Sequence, residues 1–312
     1  ISSLIFTSLL ASSPTFVGNQ YNLMKSSFQK FTPKLFYNQN YLYLRDTTFK
    51  QGLDSVIYNN NEIINVNNHI TVKNHNDKYS IEQGAYSITV IDCSFKLLNE
   101  GSIIFIKGDN LSIYITESYF YDCGSSGTGI IELSRSRCLT ITHTCAYGCK
   151  VEGTRGFLYY DCKDEDFSLC LYNTIAKTVP LNSNHLSTPN IFCKSGSQYF
   201  RCNNMTDVCC NSYEFDAPNC FSFSMCTIVD YKRIGLKMTG YDKKDINENC
   251  YTVKPKTINN VNFFTNGDES PIFYFSTQCT FTVTIENSVA LSKNNIFVEI
   301  NNVVLYIKDC FL

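Results

Sequence analysis

Ile88-Thr-Val-Ile-Asp-Cys-Ser-Phe95 is the stretch on which the fold turns. Apolar residues stand at 88 and 90, Asp92 follows, then a small residue, and Phe95 closes the unit. Period-two alternation marks a half-buried strand, and Asp followed by a small residue marks a tight bend. The same frame recurs at Leu42–Phe49, Ile113–Phe120, Leu139–Ala146, Leu169–Ala176, Val283–Ala290 and Leu305–Leu312. Looser copies are Tyr21–Phe28, Ile64–Thr71 and Lys256–Phe263, with a weak match at Phe221–Ile228.

The second apolar position of these copies, the weak match aside, falls at 23, 44, 66, 90, 115, 141 and 171, then at 258, 285 and 307. Repetition at this period is the signature of a solenoid. A second apolar run lies between copies, as in Ser102-Ile-Ile-Phe-Ile106, Gly129-Ile-Ile-Glu-Leu133 and Pro271-Ile-Phe-Tyr-Phe275. Each repeat therefore holds at least two short strands, and the Leu/Asn consensus of leucine-rich repeats is missing. Down the copies the closing column reads Phe28, Phe49, Thr71, Phe95, Phe120, Ala146, Ala176, Phe263, Ala290, Leu312, as an interior stack should. Three residues earlier a column from Lys25 and Asp46 through His143 and Asn173 to Asp309 is polar throughout, the mark of a turn. The expected fold is all-β: one right-handed parallel β-helix over 1–312, of roughly ten to twelve coils. Residues 177–255 lose the frame and hold six close cysteines between 193 and 226, so irregular, disulfide-tied coils or an excursion within the domain are expected there.

Composition narrows the function. The 312 residues are 44% hydrophobic with a net charge of -2, which excludes general disorder and a basic nucleic-acid surface. Sixteen cysteines occur without any CxxC, and the four His, at 69, 75, 143 and 185, are scattered. No metal site is expected; disulfides in an oxidising compartment are. Cys123 and Cys149 each follow the closing column by three residues in neighbouring copies. Stacking sets their Cα atoms about 5 Å apart, inside the disulfide window. Asn110-Leu-Ser112 and Asn204-Met-Thr206 are glycosylation sequons. The opening Ile1–Ala11 reads as the remnant of a signal segment or as a first strand. No stretch suffices for a membrane span, so an anchor is expected only beyond Leu312.

With its apolar-x-apolar-x-Asp-Cys-x-Phe frame and following Gly-x-Ile-Ile strands, the chain resembles the right-handed parallel β-helix, or pectin-lyase-like, class. More narrowly, its abundant Asn, Phe and Cys and its lack of Trp resemble the cell-surface β-helix proteins of trichomonad parasites. Those are similar to chlamydial polymorphic membrane proteins, which are associated with adhesion. The resemblance covers 20–176 and 255–312, with Gly127-Thr-Gly-Ile-Ile131 and Phe263-Phe-Thr-Asn266 nearest that group's motifs. It implies an extracellular module that recognises a protein or glycan of a host or neighbouring cell, without cofactor or catalysis.

The alternative reading is a polysaccharide-degrading enzyme of the same class, a lyase or a glycoside hydrolase. That chemistry needs two facing carboxylates, or acidic cation ligands beside an Arg or Lys. Asp161, Asp164, Glu165 and Asp166 with Arg155 are the residues to place; their bland reading is a solvated loop between coils. A His143–Cys145 nucleophile pair lacks an orienting partner. The Phe column reads as core, whereas Tyr119, Tyr121, Tyr159 and Tyr160 are uncommitted aromatics available to a partner.

Overall fold

The computed structural model describes residues 16–17, 20–29, 36–37, 41–50, 56–60, 86–98, 102–107, 111–126, 129–152, 155–162, 166–180, 189–208, 211–231, 233–240, 255–265, 271–292 and 297–312. All regular structure among them is β, and every strand pairing is parallel. The chain enters three main ladders in rotation, and in three successive rungs a short fourth one, the 3-stranded sheet of Gly124–Ser125, Lys150–Val151 and Val179–Pro180, follows the third. The first takes strands such as Ile104–Lys107, Ile131–Ser134 and Leu158–Asp161; the second takes Tyr86–Ile91, Leu111–Thr116 and Cys138–Thr142; the third takes Ser94–Lys96, Tyr119–Tyr121 and Cys145–Tyr147. The first two merge into one 20-stranded sheet because Phe273–Glu286 and Val298–Lys308 run through both, and the third is a 10-stranded sheet. This is an all-β molecule of long parallel sheets, an arrangement consistent with a solenoid.

Each rung is named here by its inward residue in the second ladder. In register these are Leu23, Leu44, Val90, Ile115, Ile141, Cys170, Phe200, Phe223, Ile258, Ile285 and Ile307. Parallel ladders buried on their inner face place like over like at about 4.8 Å. The third-ladder Phe column does so: Phe28, Phe49, Phe95 and Phe120 stack with ring centroids 5.3, 5.1 and 4.6 Å apart. Phe157 fills the space above Phe120 edge-on at 5.4 Å, where Ala146 leaves room. Such pairs add about 0.5–1.5 kcal/mol each to the burial of the rings.

The corner between second and third ladders is always two residues. The first adopts the left-handed conformation: Lys25, Asp46, Asp92, Glu117, His143, Tyr172, Cys202, Met225, Asn260, Asn287 and Asp309 have φ between 49° and 56°. The polar column is thus a row of single-residue bends, and Asp and Asn suit it because they tolerate this region best. The second residue turns inward, and where it is Ser, Thr or Cys its hydroxyl or thiol donates to the carbonyl two residues back; Asn173, Asn203 and Val261 are the exceptions. Ser118 Oγ does so to Thr116 at 2.8 Å, Thr47 Oγ1 to Arg45 at 2.9 Å and Cys93 Sγ to Ile91 at 3.3 Å. A second row of left-handed bends, Leu97, Asp122, Gly148, Lys177, Asp207 and Asp230, follows the third ladder.

Three expectations change. Copy Ile64–Thr71 lies outside the described residues, and the strands on either side of it, Tyr41–Arg45 and Tyr86–Ile91, pair directly, so no rung stands between them. In copy Leu169–Ala176 the register moves by one: Ile141 pairs with Cys170 and Ala146 with Ile175, which puts Tyr172 at the bend and Asn173 inside. The cause is the side chain of Asn173, whose buried amide bonds to the rungs on both sides. Finally, the described part of 177–255 is regular. Pro189–Lys194, Asn211–Asp216 and Leu236–Gly240 join the first ladder, Ser197–Arg201 and Cys220–Ser224 the second, and Asn204–Thr206 and Thr227–Val229 the third.

Candidate recognition surface

In the third ladder every middle residue faces inward and its neighbours face outward. At the Ile115 and Ile141 rungs three of the four outward residues are aromatic, Cys145 being the fourth: Tyr119 and Tyr121 are about half exposed and Tyr147 is exposed beside them. Tyr121 and Tyr147 stack with centroids 5.6 Å apart and planes 8° from parallel. Lys177 Nζ lies 5.3 Å over the Tyr147 ring and bonds its hydroxyl, which holds the ammonium above its ordinary pKa. At the adjacent corner His143 stacks on Tyr172 at 5.0 Å. The rings thus cover one another's faces and offer edges and hydroxyls outward. Tyr159 instead stacks on Phe192 at 5.5 Å, with the Arg155 guanidinium 4.2 Å over Phe192. Tyr160 is buried, its hydroxyl 3.1 Å from the Phe167 carbonyl. Tyr147, Tyr172 and Tyr199 escaped the sequence reading; their signal was outward parity in the ladder, legible only once the register was right.

Asp161 ends a first-ladder strand, in register with Lys194 one rung on and Asp216 two rungs on. Partial burial raises its carboxyl pKa, Lys194 opposes that, Asp216 adds to it, and Arg135 opposes it. Asp166 is buried at the start of the second-ladder strand, and Arg155 lies on the aromatic pair. Neither is among the charges acting on Asp161. Asp164 and Glu165 lie outside the described residues.

Cys123 and Cys149 occupy the same inward column on successive rungs, with Lys150 N–H donating to the Cys123 carbonyl at 2.8 Å. Both are fully buried thiols. Contact with the Cys123 thiol, then burial, pushes the Cys149 thiol well up. The twelve cysteines whose side chains are described are thiols, and Cys93, Cys226 and Cys310 hold corner positions where Ser118 and Ser288 stand in other rungs. Of the sequons, Asn110 lies outside the described residues, while Asn204 is exposed on the third ladder with Thr206 on the same face. Among the described residues no group of three His, Cys, Asp or Glu converges as a metal site, and no helix is long and apolar enough to cross a membrane. Comparison with protein-family models, curated proteins and solved structures finds no match.

Proposed function

We propose that the chain is a non-catalytic, extracellular recognition or adhesion module displayed on a cell surface, built as a closed right-handed parallel β-helix. The observation that carries this reading is the row of exposed tyrosines along a regular, extended sheet face. Tyrosine edges and hydroxyls on a rigid support give contact area at little entropic cost. Parallel ladders entered in rotation are what a closed coil requires, and right-handed crossover is the overwhelming preference of parallel connections. In an oxidising compartment the adjoining thiols of Cys123 and Cys149 pair as a disulfide, and Asn204 carries a glycan. An anchor outside this chain tethers it. The test is a glycan and protein binding array run beside a polysaccharide-degradation assay on one purified sample. Binding reduced by Tyr119→Ser and Tyr121→Ser supports the module; turnover without such binding refutes it.

A second reading, polysaccharide cleavage, draws support from the in-register column Asp161, Lys194, Asp216 on the first-ladder face. Loss of degradation in Asp161→Asn and Asp216→Asn, with the fold intact, is its required result.

A further inference from the structure

We propose that one corner of the stack, centred on Tyr172 and Arg201, is a self-association surface on which a second copy of this chain docks. The corner comprises the second-ladder ends, the bends and the third-ladder strands of four successive rungs, Ile141 to Phe223. Those stretches, 140–147, 169–176, 199–206 and 222–229, hold 32 residues, of which Arg201 is the single Lys, Arg, Asp or Glu. The equivalent stretches of the Leu23 to Ile115 rungs, 22–29, 43–50, 89–96 and 114–121, hold seven. Charge is depleted here and large side chains are exposed instead: Tyr147 at 36%, Tyr172 at 50%, Tyr199 at 39% and Met225 at 47%. Depleted charge with enriched Tyr, Met and Arg is the composition of an interface core.

The backbone gives an independent sign. Five bends of this row use Asp46, Asp92, Asn260, Asn287 and Asp309 and three use Lys25, Glu117 and His143, whereas Tyr172, Cys202 and Met225 in the patch take φ of 56°, 55° and 53°. A bulky residue gains nothing locally from that conformation, which costs it about 1–2 kcal/mol relative to a right-handed one. Such strain held in an exposed row points to selection for the side chain itself.

The occupant follows from chemistry and size. Tyr172 stacks on His143, and Tyr147 on Tyr121, so the rings do not offer free faces to a sugar. A surface whose permanent charges are Arg201 and, over Tyr147 at its edge, Lys177 has little to repel its own copy. A two-fold axis between the Cys170 and Phe200 rungs sets Arg201 against the Tyr172 column of the mate, where its N–H groups meet the outward tyrosine hydroxyls. Four rungs at about 4.8 Å and eight residues at about 3.3 Å wrap on the order of 500 Å² of backbone over the corner. Rough side-chain surface exceeds its plane, which brings the patch near the ~800 Å² per partner of a standard interface.

Asn204 lies within this patch, so a glycan there and a docked copy exclude one another. The inference does not rest on the adhesive reading, since association is measured without ligand or cell. Sedimentation velocity on the unglycosylated 312-residue chain, across the micromolar range, should show a monomer–dimer equilibrium that salt barely changes. Tyr172→Asp and Met225→Asp place a residue suited to the bend, so folding is retained, and each should weaken the dimer at least tenfold. Leu97→Asp, at a bend outside the patch, should leave it unchanged. Material glycosylated at Asn204 should be monomeric, with Asn204→Gln restoring the dimer from the same host. A monomer at every concentration, a dimer indifferent to Tyr172→Asp and Met225→Asp, or one dissolved by salt overturns the inference. So does a dimer that persists with Asn204 glycosylated.

Discussion

The side-chain amide of Asn173 donates to the amide oxygen of Asn203 on the next rung at 2.9 Å, and also to the Ile141 carbonyl at 3.0 Å. The same Asn203 oxygen accepts from the backbone N–H of Asn173 at 3.1 Å, and Asn203 Nδ2 donates to the Cys170 carbonyl at 2.8 Å. Both side chains are buried. Two asparagines thus satisfy the inward polar groups of three rungs where every other described corner but that of Val261 uses a hydroxyl or thiol.

Asn203→Ala should therefore be among the costliest corner substitutions. It strips partners from the Asn173 amide and backbone N–H and from the Cys170 carbonyl, at about 1–3 kcal/mol for each buried group left unmade. Urea unfolding should show a loss of at least about 3 kcal/mol, against a smaller loss for Asn204→Ala on the outer face. Equal losses would contradict the buried network.

The stacked phenylalanines predict a graded core response. Phe95 has a stacked ring on both sides, so Phe95→Ala should cost about 3–5 kcal/mol, and Phe95→Leu distinctly less. Thermal or urea unfolding reads both; a loss near zero for Phe95→Ala would place the ring outside the core.

Leu97 offers a stabilising change. It is exposed, with φ of 52°, a conformation that Asn tolerates and Leu does not. Leu97→Asn should raise stability by up to about 1 kcal/mol by urea titration, whereas Leu97→Val should lower it.

Buried thiols make stability fall in alkali. Burial raises the Cys93, Cys162 and Cys226 thiols to about 12, with smaller opposing hydrogen bonds, while unfolded thiols ionise near ~8.5. The folded pKa being the higher, their contribution is fully present below about pH 8.5 and is lost as pH rises towards 12. Each adds a slope of about 1.4 kcal/mol per pH unit over that window. Cys93→Ser keeps the donor to Ile91 and should leave neutral stability near the parent, yet flatten the alkaline slope by one thiol. An unchanged slope would mean Cys93 is not buried.

Much of this architecture was legible because a ladder repeats its environment every rung. The frame around Val90 recovers ten of the eleven second-ladder positions, one displaced by a residue, and identifies the bend row by its polarity. The Phe200 rung was hidden because Gln198 stands at an inward apolar position, Cys202 at the polar bend and Met205 at the Phe column. There the stack replaces apolar contacts with hydrogen bonds, as Gln198 does with the Ser168 hydroxyl. Of the acidic candidates, Asp161 points outward from one ladder while Asp166 is buried at the start of the next, and Asp164 and Glu165 lie outside the described residues. Proximity in sequence says little across a corner.

Everything here depends on successive rungs lying in register, and a pair of engineered cysteines measures that directly. Thr89 and Tyr114 are direct partners in the second ladder, and Thr140 lies one rung further on. Oxidation of the Thr89→Cys, Tyr114→Cys variant should give one disulfide-linked peptide pair by mass spectrometry, and Thr89→Cys, Thr140→Cys, about 9–10 Å apart, should give none. Equal cross-linking of both pairs, or of the second alone, would contradict the stack.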